Sequence, residues 1–142
     1  MNLLQVRDLE THFISRDIDN RVRIAHALNG ITFDVEEGEI LGIVGETGAG
    51  KSLTAQSVVG LLRPPARIVG GQVRFEGRDL LTMSEDDLNA IRGNDIAMVV
   101  QNPRTSLDPL SRIGDQLIRI RRAHSESSEA EARSRAVEMM TA

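Results

Sequence analysis

The feature that most constrains this chain is a glycine-rich segment, Gly45-Glu46-Thr47-Gly48-Ala49-Gly50-Lys51-Ser52. It matches the phosphate-binding pattern G-x-x-x-x-G-K-[ST] at every specified position. The glycines allow the backbone to curl, so that successive N–H groups point inward and form a nest for anionic oxygens. The pattern therefore predicts a loop that binds the phosphates of ATP.

The polar residues of this loop have separate expected roles. We expect Lys51 to contact the β- and γ-phosphates and the Ser52 hydroxyl to coordinate magnesium (Mg2+). Lys51 is the only lysine among 17 lysines and arginines, and a compact ammonium suits a phosphate cradle better than a planar guanidinium. The alternative is a glycine-rich turn that happens to precede Lys-Ser. The predicted nucleotide-binding set in this part of the chain is Gly45, Glu46, Thr47, Gly48, Ala49, Gly50, Lys51, Ser52 and Leu53.

The segments on either side of the loop have the patterns that such a motif requires. Glu39–Val44 is a short, nearly unbroken apolar run, which is typical of a buried parallel strand. Lys51–Leu62 has apolar residues near helical spacing and is followed by Arg63-Pro64-Pro65, which ends a helix. The sequence therefore predicts a strand, the loop and a helix in succession.

Further elements are predicted from hydrophobic periodicity and turn residues. Leu3–Ile14 and Ala27–Val35 are expected to form an antiparallel pair of strands, because only a short connection separates them. The other predicted strands are Gly70–Phe75 and Ile96–Val100, and the other predicted helices are Ser84–Arg92, Ile113–Arg122 and Glu129–Met140.

Gln101 follows the apolar run Ile96–Val100 directly. Residues at the carboxyl ends of parallel strands face the ligand crevice of an open α/β sheet. If this strand lies beside Glu39–Val44, the Gln101 amide would bind Mg2+ through its oxygen and orient a water near the γ-phosphate. The alternative is an ordinary loop glutamine. No aspartate follows a comparable apolar run, so the chain offers no good candidate for the second magnesium-binding carboxylate of such ATPases.

Composition excludes several other classes of protein. The chain contains no cysteine, which excludes a disulfide framework, a thiolate metal site and a cysteine nucleophile. Its net charge is −4, which argues against a nucleic-acid partner because such proteins usually carry a basic field. No apolar run approaches the roughly 18 residues of a membrane span, so any membrane association is expected to require a partner protein.

Three stretches resemble the ATPase subunits of ABC transporters, particularly the branch of dipeptide and oligopeptide importers. They are Gly38–Ser52, Phe75–Leu80 and, most specifically, Ile96–Pro109, which contains Gln-x-Pro-x-x-Ser-Leu-x-Pro. The resemblance covers nearly the whole chain and implies an α/β P-loop fold of the ABC ATPase type with an antiparallel β subdomain. It implies a nucleotide-binding core over residues 1–101 and the incomplete start of a helical subdomain over residues 102–142.

The same resemblance assigns functional residues and partners. It makes Gln101 a catalytic residue with Lys51 and a magnesium ligand with Ser52, and it places Phe13 against the adenine. The alternative for Phe13 is an ordinary strand or core residue. The cofactors would be ATP and Mg2+. The partners would be transmembrane permease subunits and a second ATPase subunit, so the protein would lie in the cytoplasm, on the inner face of the cell membrane.

The resemblance also implies that the chain stops before several parts of such a subunit. The signature sequence, the Walker B strand with its catalytic glutamate and the switch histidine are not found in it, so ATP turnover by this chain alone is expected to be near background. Two other functions remain open from the sequence. One is a stand-alone, catalytically silent nucleotide-binding module, and the other is a small P-loop kinase whose lid would use Arg119, Arg121 and Arg122.

Overall fold

The computed structural model describes residues 2–102 and 106–141. The chain divides into two compact units, Met1–Leu88 and Asn89–Ala142. The functional boundary that the resemblance places between residues 101 and 102 is a different kind of division and stays a prediction.

The first unit is built on an antiparallel sheet with strand order β2-β1-β3-β4. The turn between the two long strands is held by Asp17, whose carboxylate accepts backbone N–H bonds from Asp19 (3.0 Å) and Arg21 (2.9 Å). The predicted antiparallel pair is therefore confirmed, although both strands are longer than predicted. The strands are β1 (Asn2–Arg16), β2 (Val22–Glu36), β3 (Ala66–Phe75) and β4 (Arg78–Asp79).

Helix α1 (Lys51–Val58) packs on the sheet through a buried pair of hydroxyl groups. Thr11 Oγ1 of β1 and Ser57 Oγ of α1 are 3.0 Å apart, and both residues are fully buried. A buried polar group is stable only when it has a hydrogen-bond partner, so this contact fixes where the helix lies. The buried apolar residues of the unit include Val6, Leu9, Leu28 and Val73.

Helix α1 ends earlier than the predicted Leu62. The backbone N–H of Gly60 donates to the Ser57 carbonyl (3.2 Å) and that of Leu61 to the Gln56 carbonyl (2.9 Å). These two bonds form a Schellman motif, in which the residue after the cap has a positive φ; Gly60 has φ +67°. The helix therefore stops at the glycine, and the prolines farther along are not its terminator.

Two predicted strands are absent from the described residues. Glu39–Val44 and the stretch after Ile96 are irregular, and Ile96 makes only an isolated bridge with Arg92. A parallel strand needs hydrogen-bonding neighbours and cover on both faces. Neither segment has them here, and the side chains of Ile40 and Val44 are 96% and 93% exposed. The predicted strand before the phosphate loop is therefore wrong for this structure, whereas the helix after it is confirmed.

Among the described residues, three α-helices follow a short 3-10 turn (Leu80–Thr82). Helix α2 (Glu85–Ile91) begins after Ser84, whose hydroxyl accepts the Asp87 N–H (3.2 Å), and Gly93 at φ +79° follows its end. Helices α3 (Ile113–Ala123) and α4 (Glu129–Thr141) pack together in the second unit and confirm the predicted ranges within one residue. Within residues 2–102 and 106–141 no helix is both long and apolar enough to cross a bilayer.

The hydroxyl pair between Thr11 and Ser57 generates a prediction about stability. Ser57→Ala leaves the buried Thr11 hydroxyl without its partner, so we expect the free energy of unfolding to fall by about 1–3 kcal/mol. The double variant Thr11→Val/Ser57→Ala removes both polar groups, so its loss of unfolding free energy should be smaller than the summed losses of Thr11→Val and Ser57→Ala.

Denaturant unfolding measures the two single variants and the double variant, with the exposed Ser15→Ala as the control. Additive losses of stability would contradict this role of the pair.

The start of α4 generates a prediction about pH. Hydrogen bonds from the Ser128 hydroxyl (2.7 Å) and backbone N–H (2.8 Å) lower the pKa of Glu131 below its ordinary value of 4.5. The charged form of Glu131 is therefore favoured in the folded state. Its stabilisation of α4 is present above pH 4.5 and is lost as the pH falls through the lowered pKa.

Glu131→Gln should remove this acid-dependent loss of α4, measured by amide exchange or circular dichroism. Glu126→Gln, an exposed position in the preceding loop, is the matched control and should keep the dependence. An unchanged acid profile in Glu131→Gln would show that the capping contact does not stabilise the helix.

Candidate functional site

The glycine-rich loop has the backbone conformation that its sequence requires. Gly48 and Gly50 have φ values of +85° and +90°, in the left-handed region that favours glycine. The Ala49 N–H donates to the Glu46 carbonyl at 3.1 Å, which closes a tight turn inside the loop. A Cβ on Gly45 would lie 3.0 Å from the Ala49 Cβ, so the start of the loop also has little room for a side chain.

Lys51 extends back across the loop. Its Nζ donates to the carbonyl oxygens of Gly45 and Glu46, both at 2.7 Å. An ammonium group has a further N–H donor, which remains for an anionic ligand at the same place. The positive charge is thereby held over the loop backbone by two contacts.

The amino end of α1 faces this loop without a neutralising side chain. Gly50 caps the helix with no side-chain hydrogen bond, and the first turn holds no acidic residue. The Gly50 carbonyl accepts from Thr54 N (2.8 Å) and from Thr54 Oγ1 (3.0 Å), which fixes the first turn. The partial positive charge of the helix terminus is therefore available to an anion.

A cavity of about 280 Å³ joins the loop to the sheet. Phe13 of β1 lines it and is 38% exposed. The structure thus brings Phe13 together with part of the predicted phosphate loop, all within the first unit. The lining residues are Phe13, Ala27, Gly48, Gly50, Lys51, Ser52 and Leu53.

The remaining predicted residues lie elsewhere. Gly45, Glu46, Thr47 and Ala49 belong to the loop but do not line this cavity. Gln101 is an exposed residue in an irregular stretch of the second unit, so the structure describes no contact that brings it into the site. Its role and the roles of the loop residues stay predictions. The positions 103–105 of the Gln-x-Pro-x-x-Ser-Leu-x-Pro stretch lie outside the described residues.

Ala27 is a lining residue that the sequence reasoning missed. In the pairing of β1 with β2, Thr11 is opposite Leu28 and His12 is opposite His26, so Ala27 is an extra residue in β2. Such a β-bulge changes the direction of neighbouring side chains. The local sequence contains no turn residue that would have indicated the bulge, because its position depends on the register with β1.

The oxygen donor present at the loop would suit Mg2+. Ser52 is exposed at the start of α1 and offers a hydroxyl oxygen beside the loop. The described part of the chain contains no group of three or more histidine or acidic residues that could hold a metal ion. Mg2+ typically uses one or two protein ligands together with waters and substrate phosphates, so this sparse donor set fits the ion.

Comparisons with known proteins agree on one family. The family described as "ABC transporter" matches residues 28–142. A probable peptide ABC transporter ATP-binding protein of Sinorhizobium fredii is 48% identical over 139 residues, which is 97% of this chain and 40% of that protein. An oligopeptide transport ATP-binding protein of Escherichia coli is 43% identical over 140 residues, 99% of this chain and 40% of that protein. The chain thus spans about 40% of the length of these relatives.

A solved structure has the same fold. It is the dimeric structure of a post-hydrolysis state of the ATP-binding cassette MJ0796 bound to ADP and Pi. The TM-score is 0.73 at 21% identity, and the match covers 95% of this chain and 54% of the other. The predicted fold class, a P-loop α/β fold of this type with an antiparallel β subdomain, is confirmed.

The glycines of the loop generate a prediction. A Cβ on Gly50 would lie 2.7 Å from Leu28 Cδ2, whereas a Cβ on Gly48 would meet nothing within 4 Å. Both substitutions by alanine carry the cost of a left-handed backbone, about 1–2 kcal/mol, but only Gly50→Ala adds a clash.

We therefore expect Gly50→Ala to lower the free energy of unfolding more than Gly48→Ala does. Chemical denaturation of the two variants side by side measures the difference, and Gly48→Ala serves as the matched control. Equal losses would mean that the close approach to Leu28 does not constrain the loop.

Proposed function

The chain belongs to the ABC transporter family, and from that premise we propose that it is the ATP-binding portion of an importer ATPase. The whole protein would couple ATP binding and hydrolysis to the uptake of peptides or similar small solutes. The relatives support this assignment, because they are ATP-binding proteins of peptide and oligopeptide transport that match nearly the full length of this chain.

The observation that carries the proposal is the cavity between Phe13 and the loop. It has an aromatic side chain at one side and a curled backbone with an ammonium group at the other. A nucleotide has a complementary arrangement of groups, with a flat base at one end and a chain of anionic phosphates at the other. Phe13 would stack on the adenine, and Ala27 and Leu53 would add apolar contact around it.

The phosphates would lie in the loop for electrostatic reasons. Lys51 brings the one ammonium side chain of this sequence to this point, and the amino end of α1, which has no side-chain cap, adds its partial positive charge. Inward-facing N–H groups of Gly45–Ser52 would bind the phosphate oxygens. Catalysis of phosphoryl transfer depends mostly on such positioning and charge stabilisation, which is why Lys51 is proposed as a catalytic residue.

Magnesium would complete the charge balance of the nucleotide. When bound, the ion neutralises charge on the β- and γ-phosphates. Ser52 would hold it through its hydroxyl oxygen. Gln101 would be the second protein ligand, would orient the attacking water and would link the nucleotide to the membrane subunits. That role for Gln101 rests on the resemblance of Ile96–Pro109 to the importer branch.

The partners follow from the same family assignment. Transmembrane permease subunits would hold the protein at the inner face of the cell membrane, in the cytoplasm, and a second ATPase subunit, identical or related, would complete the nucleotide sites. The related solved structure is described as dimeric. A small kinase is disfavoured because the ABC transporter match includes α3, which carries the arginines that would have formed its lid. A silent stand-alone module is disfavoured by the importer relatives.

The two ends of the cavity can be tested separately with two ligands, ATP with Mg2+ and inorganic triphosphate with Mg2+. Lys51→Ala should weaken the binding of both, because both place phosphates in the loop. Phe13→Ala should weaken ATP binding by about 1–3 kcal/mol, the usual value of one stacked base, and should leave triphosphate binding unchanged. Isothermal titration calorimetry of the 142-residue chain measures each affinity.

Phe13→Trp is the matched control, since it keeps an aromatic face and should retain ATP binding. If Lys51→Ala bound ATP as tightly as the unaltered chain, the proposed phosphate site would be wrong. If Phe13→Ala weakened triphosphate binding as strongly as ATP binding, the ring would be a structural support and not a base platform.

A further inference from the structure

Leu28 occupies the space directly behind the last glycine of the phosphate loop. A Cβ added to Gly50 would lie 2.7 Å from Leu28 Cδ2 and 3.5 Å from the Ala27 carbonyl oxygen. Leu28 is 2% exposed. The loop backbone therefore rests on a buried side chain, and no gap is left between the two.

This contact is made possible by the bulge in β2. In a regular strand, consecutive side chains point to opposite faces. Here Ala27 lines the cavity while the next residue, Leu28, contacts Gly50. Because of the extra residue at Ala27, two consecutive residues of one strand lie next to the loop.

The support behind Leu28 continues into the helix. Leu28 is paired in register with Thr11, and Thr11 shares its buried hydroxyl contact with Ser57. Helix α1 is therefore held against the sheet at two places, by Gly50 on Leu28 at its amino end and by Ser57 on Thr11 near its carboxyl end. A helix fixed at both ends has little freedom to slide or tilt.

We propose that Leu28 is a positioning residue for nucleotide binding, acting through Gly50 to hold the loop amides and Lys51 in the conformation that receives phosphates. Leu28 itself does not touch the nucleotide. Gly50 is the residue through which it acts, because the Gly50 carbonyl receives both Thr54 bonds at the start of α1. This inference rests on the proposed function.

The test compares two buried leucines of the same sheet by ATP–Mg2+ titration and by denaturant unfolding of the 142-residue chain. Leu28→Ala and Leu9→Ala both remove core methyl groups, and Leu9 is fully buried in β1. Both should lower stability, but only Leu28→Ala should weaken ATP binding, by about tenfold or more. Leu28→Met, which keeps the side-chain volume, should restore the affinity.

A compensating pair gives an independent readout. Leu28→Ala removes the methyl group that a Cβ at position 50 would meet. Gly50→Ala/Leu28→Ala should therefore bind ATP more tightly than Gly50→Ala alone, and equal affinities would contradict the contact between Gly50 and Leu28. Should Leu28→Ala fail to fold, Leu28→Val and Leu9→Val form a milder pair. Only Leu28→Val should then weaken ATP binding.

Failure of this inference is distinguishable from failure of the proposed function. If the unaltered chain binds ATP and Lys51→Ala does not, while Leu28→Ala and Leu9→Ala bind equally well, the positioning role is overturned and the nucleotide site stands. If the unaltered chain does not bind ATP, both are overturned.

Discussion

The left-handed backbone at Gly50 is the constraint on which the rest of the site depends. At φ +90° the chain leaves the loop and enters α1 with its carbonyl directed to Thr54 and its Cα against Leu28. A side chain at this position would oppose both the conformation and the contact. One residue without a Cβ therefore allows the helix to start close to the sheet. This close start brings the Lys51 ammonium over the loop and directs the amino end of α1 toward it.

The antiparallel sheet supplies the support for this arrangement. Phe13 and Thr11 lie on one strand, and the first lines the cavity while the second anchors α1 through Ser57. The bulge in β2 adds Ala27 to the cavity. The same part of the sheet therefore contributes to stability and to the shape of the ligand space, so substitutions there are informative only when unfolding and binding are measured together.

Much of this could be predicted from the sequence because the governing signals are local. The loop motif, the helix after it and the antiparallel strands depend on glycine placement and on alternation of apolar residues over a few positions. The predictions that were wrong, and the bulge that was not predicted, concern features that depend on residues distant in the sequence. Ile40 and Val44 have the composition of a buried strand but no neighbouring strand in the described residues. The bulge at Ala27 depends on register with β1. The end of α1 is a separate, local case, because Gly60 ends the helix before the prolines that the sequence pattern favours as its terminator.

The irregular stretch that precedes the loop has a consequence for handling the protein. It presents β-prone apolar side chains, including Ile40, Ile43 and Val44, and no strand within residues 2–102 and 106–141 pairs with its backbone. Such a ribbon is a template on which identical copies can add edge to edge. We therefore expect any self-association of this polypeptide to begin at these residues, next to the ligand loop.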